Sequence, residues 1–306
     1  MSFTALLGLG QTALELALFN SLTVLALFLS YSMLNVCDLS TDGCFTLGAA
    51  VGAVVALAGH PWLSIPAAMG AGMLSGLIVA TLQTRMGVNS LLAGIIVNTG
   101  LYSVNIGIMG GSSQLNMNRT ATAFSLVKDA LKDTAFASQY RIIVAAAAVV
   151  LVVIILSLFL RTRLGLAIRA TGDNPAMVRS SSINADQSRV LGIMISNALV
   201  AFSGALLCQQ QRYADLNFGS GMLVVGLASV IIGQAFFGNR GVTLGIISAV
   251  AGSLVYRVIL QIAYKVEMPS YAVKLLSAVI VVIALTIPRI RRLAAQRRAD
   301  REEGAQ

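Results

Sequence analysis

Residues 162–188 read TRLGLAIRATGDNPAMVRSSSINADQS, the one long polar stretch in the middle of an otherwise apolar chain, and the rest is organised around them. Five arginines lie in or beside the stretch: Arg161, Arg163, Arg169, Arg179 and Arg189. Asp173-Asn174-Pro175 is a helix start, because a short polar side chain accepts a bond from an exposed backbone N–H and proline at the first helical position has no N–H to leave unpaired. A short helix is therefore predicted from Pro175 to about Ser182. Asn184 followed by Gln187 resembles a second, reciprocal capping pair, so another helix begins there. The stretch reads helix, turn, helix start, as a docking loop would. A plain connector between two spans can carry the same features, and the flanks decide between the two.

Those flanks are membrane spans. A composition 57% hydrophobic and 11% charged, with mean hydropathy +0.84, is not that of a soluble domain around one core. Crossing the hydrocarbon takes roughly 20 apolar residues, and about nine such runs can be placed. They cover Thr12–Val36, Cys44–Ala58, Ser64–Thr84, Val88–Met109, Tyr140–Leu160, Arg189–Gln209, a short run ending at Phe237, an eighth ending at Tyr264, and Tyr271–Ile287. None shows the alternation of an outer-membrane strand, so an all-α bundle is expected. The net charge of +9 sits at span ends, which is a topology signal and not a nucleic-acid surface. No lysine or arginine precedes Arg85, so the first run lacks the basic head of a cleavable signal and is expected to remain a span.

Chemistry is sparse. Cys37, Cys44, Cys208 and the single His60 form no metal-ligand spacing, and no phosphate cradle, GxSxG elbow or HExxH pair occurs. Any energy input must come from a partner. Asp38-Leu39-Ser40-Thr41-Asp42-Gly43 reads as a membrane boundary after the first span. Gly59-His60-Pro61-Trp62 reads as an interfacial turn. Asn98, Tyr102 and Asn105 share one helical face. They either line a translocation path or tie helices together by hydrogen bonds. Within the polar stretch 110–139, an amphipathic helix is expected over Ala123–Asp133, with Phe124, Val127 and Leu131 on one side; lying on the membrane surface is favoured over meeting a partner.

Thirteen lysines and arginines against six place the C-terminus inside and, with nine spans, the N-terminus outside. The halves also echo each other. Asp38-Leu39 recurs as Asp215-Leu216, 177 residues on, and Ala71-Gly72 recurs as Ala251-Gly252 at an offset of 180. An odd number of spans separates the copies, so the repeat is inverted, the arrangement transporters use to build a midplane site with two access states.

GLAIRATGDNPAMVRSSSIN, followed by ALVAFSGALL and GLASVIIG, resembles the permease subunits of ABC importers in the branched-chain amino acid and ribose class, over nearly the whole chain. CDLSTDGCFTLGAAVGA and MGVNSLLAGIIVNTGLYSVN resemble the permeases linked to tryptophan or tyrosine uptake. The resemblance implies a coupling helix for a cytoplasmic ATPase, carried by Asp173, Asn174, Pro175, Met177, Val178 and Arg179. Relatives tend to continue Leu-Gly-Ile-Asn where this chain has Ser181-Ser182-Ile183-Asn184. It further implies a type II-like permease with no cofactor of its own, ATP being bound by the partner ATPase. An external substrate-binding protein, a second permease copy and a bacterial inner membrane complete the expectation. The cargo is a small solute, an amino acid with aromatic ones included, and specificity rests largely with the binding protein. On this reading the chain is one membrane domain: a first repeat half (1–112), an external loop and fifth span (113–160), the coupling loop (161–188), a second half (189–288) and a basic cytoplasmic tail (289–306).

A stand-alone secondary transporter or channel is the rival. It calls for acidic or histidine residues inside spans to carry coupling protons, and apart from Glu15, near the start of the first span, none lies deep in the membrane. Gly219-Ser220-Gly221 precede the short seventh span. Either their free N–H groups and the helix dipole face a vestibule that receives a carboxylate, or the glycines serve a tight turn and close packing, the favoured alternative.

Overall fold

A computed structural model describes residues 3–130, 132, 139–237 and 241–265, with 275, 276, 278–280, 282 and 286 beyond them. Helix α1 (Phe3–Leu27) continues as a π-helical turn over Phe28–Met33 and is followed by α2 (Thr41–Leu57), α3 (Ser64–Thr84) and α4 (Ser90–Ile108). Strand β1 (Gln114–Asn116), α5 (Ala123–Ala130), α6 (Tyr140–Phe159), α7 (Arg163–Asp173) and α8 (Pro175–Ser180) come next. The chain then forms α9 (Ala185–Gln211), β2 (Tyr213–Asp215), α10 (Met222–Phe237) and α11 (Val242–Lys265).

Among the described residues six helices are long and apolar enough to cross a membrane, and α2 and α10 are apolar but shorter. The bundle is the all-α one expected, apart from two three-residue strands. Eight of the nine expected spans are thus helices; most of the ninth, Tyr271–Ile287, and the basic tail lie outside the described residues. The first span ends earlier than expected, at Met33, and the sixth begins earlier, at Ala185.

In lipid the apolar side chains have no reason to turn inward, so spans meet through small residues and buried hydrogen bonds. That is how the core is made. α1 and α9 are mostly buried, while α6, the most apolar span, is largely exposed. Ser196 Oγ donates to the Ala26 carbonyl and Ser203 Oγ to the Phe19 carbonyl, each at 2.8 Å. A Cβ on Gly48 would collide with the Ala201 carbonyl, so only glycine lets α2 lie this close to α9.

These contacts obey the inverted repeat. Adding 177 carries Phe19 onto Ser196 and Ala26 onto Ser203, so the two serine bonds join equivalent pairs of positions, with the second half donating in both. α1 and α9 run antiparallel through it. α2 runs parallel to α9, with Cys44 at Asn197, Gly48 at Ala201 and Gly52 at Ala205. α10 correspondingly runs parallel to α1: Gly226 lies against Thr23 and Leu27, and Gln234 Nε2 donates to Ser32 Oγ at 2.7 Å. The halves interlock, α3 packing on α9 and α11 on α1. Gly72 and Gly252, matched in sequence, serve different neighbours: Gly72 meets Asn197 of α9, and Gly252 meets Ser229 and Gly233 of α10.

Two expectations are corrected. Residues 38–43 are not a boundary. After α1 the chain turns back into the bundle, with Leu34 at Gly192 and Asp38 at Asn197, so α2 starts inside. Its 17 residues reach about 25 Å, short of the ~30 Å of hydrocarbon. Likewise α5 does not rest on a membrane surface. Phe124 is buried with its ring 5.7 Å from that of Phe19, and Gln209 Oε1 accepts the Ala123 N–H at 2.8 Å. The amphipathic pattern was real, but the apolar face it displays is satisfied by protein. The loop is fixed further by β1 pairing antiparallel with β2, Gln114 opposite Asp215. Leu131 and Asp133 lie outside the described residues.

Candidate functional site

Two sites emerge, an exposed elbow at one end and a buried junction at the centre. The elbow is α7, α8 and the start of α9. Thr162 Oγ1 accepts the Gly165 N–H and starts α7, which the polar reading of this stretch had missed. Its signal was a capping threonine followed by Gly165, Ile168 and Thr171 at spacing three, and those three are the buried face. At Gly172 a Cβ would strike the Met33 carbonyl, so α7 rests directly on the end of α1.

Asn174 Oδ1 accepts from Ala176 N–H and Met177 N–H, both at 3.1 Å, with Pro175 as the first helical residue. α8 then stops two residues short of expectation. Ile183 N–H reaches back to the Val178 carbonyl and Ser182 N–H to the Arg179 carbonyl, each at 3.3 Å, with Ser182 left-handed at φ +60°. This is a Schellman closure, whose left-handed position favours glycine. Here the resemblance's Gly is replaced by Ser182, and the turn survives the exchange. Asn184 Oδ1 accepts from Asp186 and Gln187 backbone N–H groups at 3.1 and 3.0 Å, so Gln187 contributes its backbone to this cap and not a reciprocal side chain.

Of the residues expected on the elbow, Met177 is 55% exposed and Val178 only 1%. Val178 is thus a packing residue beneath α8 and is not presented. Asp173 is exposed, as is Arg179, which pairs with exposed Asp186 at 3.2 Å. Between the end of α3 and the start of α9 opens a cleft of about 490 Å³ lined by Thr84, Arg85, Asn184, Asp186, Gln187, Val190 and Leu191.

At the central junction, Asn98 Oδ1 accepts the Gly43 N–H at 2.7 Å, and Asn105 Nδ2 donates to the Gly43 carbonyl at 3.2 Å. Both asparagines hold the first turn of α2, while Tyr102 of the same helix is 56% exposed. The N–H groups before α10 are not free. Gly219 N–H donates to Thr46 Oγ1 at 3.1 Å, Ser220 N–H to the Asn217 carbonyl, and Gly221 and Leu223 N–H groups to the Asp42 carboxylate at 2.9 and 2.8 Å. Gly219 has no room for a Cβ against the Asp42 carbonyl, and Gly221 turns at φ +84°. Ser220 is exposed.

Sequence reasoning overlooked the two carboxylates here. Asp38, 1% exposed, accepts from Ser40 N–H and from Asn197 Nδ2, each at 2.8 Å. Asp42 caps α10. Their signal was the Asp-x-Ser-x-Asp-Gly spacing of a turn leading into a helix, and what concealed them was the assumption that such a turn lies in water. Glu15, the one acid expected within a span, accepts from Gln210 Nε2 at 2.7 Å and faces Arg141 at 3.8 Å. Among the described residues no cluster of three or more His, Cys, Asp or Glu side chains could hold a metal, and the three cysteines are free thiols.

Interlocked inverted halves, short helices starting inside the bundle and an exposed capped elbow define a solute permease of the membrane. Residues 12–285 match the family described as branched-chain amino acid transport system / permease component, and the chain belongs to that family. It is 33% identical over 270 residues to a tyrosine transport system permease protein of Clostridioides difficile, covering 88% of each chain. Similarity extends to a probable branched-chain amino acid transport permease of Methanocaldococcus jannaschii, 27% identical over 70% of this chain and 59% of that one. An autoinducer 2 import system permease of Yersinia enterocolitica is 22% identical over 88% and 70%. No solved structure matches. The chain is therefore a multi-pass permease subunit of an ABC importer, a transport and not an enzyme family, and the stand-alone transporter is set aside.

Proposed function

We propose that this permease carries an amino acid, aromatic ones included, handed over by an external binding protein, and that the α7–α8 elbow receives the push of a cytoplasmic ATPase. The observation that carries the coupling role is α8 itself, a six-residue helix capped at both ends that projects Met177 while anchoring itself through Val178. A rigid exposed knob of this kind transmits a push from a groove on a partner to the spans it rests on, here α1 through Gly172 and α9 through Asn184. The permease binds no cofactor on this reading; ATP stays with the partner. Two copies would face two ATPases, the usual closed symmetry of such assemblies, in the bacterial inner membrane with the elbow and C-terminus on the cytoplasmic side. The aromatic cargo is suggested by the tyrosine permease relative.

Met177→Asp tests the coupling. A charge placed in a packed groove is expected to cost about 2 kcal/mol or more, roughly thirtyfold in affinity, so the ATPase should no longer co-purify while the permease still inserts. Undiminished co-purification and ATP hydrolysis would remove the elbow from the docking role. Thermal-shift screening of the cognate binding protein against the common amino acids tests the cargo, and a preference for sugars alone would refute it.

A further inference from the structure

The repeat relation places one contact at the middle of the molecule. Adding 177 carries Asp42 onto Gly219 and Thr46 onto Leu223, so the Gly219–Thr46 and Leu223–Asp42 hydrogen bonds are the same contact seen from the two halves. The first turns of α2 and α10 meet there. Yet the two bonds differ in kind. Thr46 offers a neutral hydroxyl at 3.1 Å, whereas Asp42 offers both oxygens of a carboxylate, at 2.8 and 2.9 Å, to N–H groups at the positive end of α10. Bonds to a charged acceptor are roughly twice as strong as neutral ones, so the junction is held mainly from one side.

What that side holds is a rod with a glycine turn at its start. α10 is preceded by Gly221 at φ +84°, and a glycine at such a position absorbs the backbone rotation of a moving element. Its sides rest on α1 and α11, and it touches α2 only near its start. An ionisable side chain inside a membrane bundle marks function by default, and Asp42 is half-exposed where Asp38, four residues before it, is sealed against Asn197. Asp38 is built into the frame; Asp42 is placed where it can let go.

We propose that Asp42 is a positioning residue for transport, a latch that holds α10 to α2 through the Gly221 and Leu223 N–H groups in the arrangement described here and releases them when ATP binding rearranges the spans. The release half of this proposal rests on the coupling reading above; the holding half does not. Hydrogen exchange at amides 219–225, followed by mass spectrometry, separates the two. In the permease alone, Asp42→Ala should accelerate exchange at these amides about tenfold, as loss of a helix cap does, and Asp42→Asn, which keeps one accepting oxygen, should accelerate it less. Unchanged exchange in Asp42→Ala overturns the latch. In the wild-type complex with its ATPase, ATP should speed exchange at the same amides relative to the nucleotide-free complex. That response should vanish in Asp42→Ala, already released, and return in part in Asp42→Asn, which a purely structural cap would not produce. Equal exchange with and without ATP in an intact wild-type complex also overturns the proposal. If the ATPase does not associate at all, the coupling reading has failed, and the exchange comparison in the permease alone still decides whether Asp42 holds α10.

Discussion

Asn174 and Asn184 start helices at the exposed elbow, while inside the bundle Asp42 caps α10 and Asp38 holds the turn before α2. All four use a short side-chain oxygen that accepts backbone N–H groups at a helix start or in the turn just before it. The difference is in what stands behind the cap. At the elbow water can substitute, so a neutral amide suffices and its loss is local. At Asp38 no water replaces it, and a carboxylate is tolerable there because the Ser40 N–H and the Asn197 amide surround it.

That contrast is sharpened most by Asp38→Ala. It strands the buried Asn197 amide and frees the turn before α2 at once, an expected loss of about 3 kcal/mol that should show as a lowered melting temperature in detergent. A loss no greater than that of Asn174→Ala would break the distinction between the two settings. Asn174→Ala itself should cost about 1 kcal/mol, read as faster amide exchange confined to 176–180 with global melting unmoved. Next comes a gain: Ser182→Gly relieves a left-handed residue and should add about 0.5–1 kcal/mol to the elbow, slowing exchange at 182 and 183. Smallest is Arg179→Ala. Its pair with Asp186 is exposed on both sides, so stability should change by less than about 0.5 kcal/mol. A larger fall in ATPase affinity would then mark Arg179 as a docking contact.

The same contrast explains what the sequence disclosed. Spans, caps and the inverted repeat were legible because each is a local or periodic pattern: Pro175 after Asn174, twenty apolar residues, Asp-Leu recurring at a fixed offset. Depth was not. Asp38-Leu39-Ser40-Thr41-Asp42 spells a turn in either setting, and only the approach of Asn197 and of α10, more than 150 residues away, puts it inside. Phe124 failed for the same reason, since an amphipathic face states that it will be covered and leaves open whether lipid or Phe19 covers it. Asn98 and Asn105 were rightly grouped on one face, but that they grip Gly43 depends on where α2 begins.

Because α3 packs on α9 and α11 on α1, neither half closes on itself as it leaves the ribosome. α1 ends at Leu27 and its cradle on α9 begins at Ala185, a wait on the order of ten to thirty seconds at ordinary rates of synthesis. Throughout that interval Asp38 is without Asn197, and Gly48 and Gly72 have no backbone to lie against. The early spans must therefore linger beside the insertion machinery, or in a provisional arrangement, until the second half arrives to complete them.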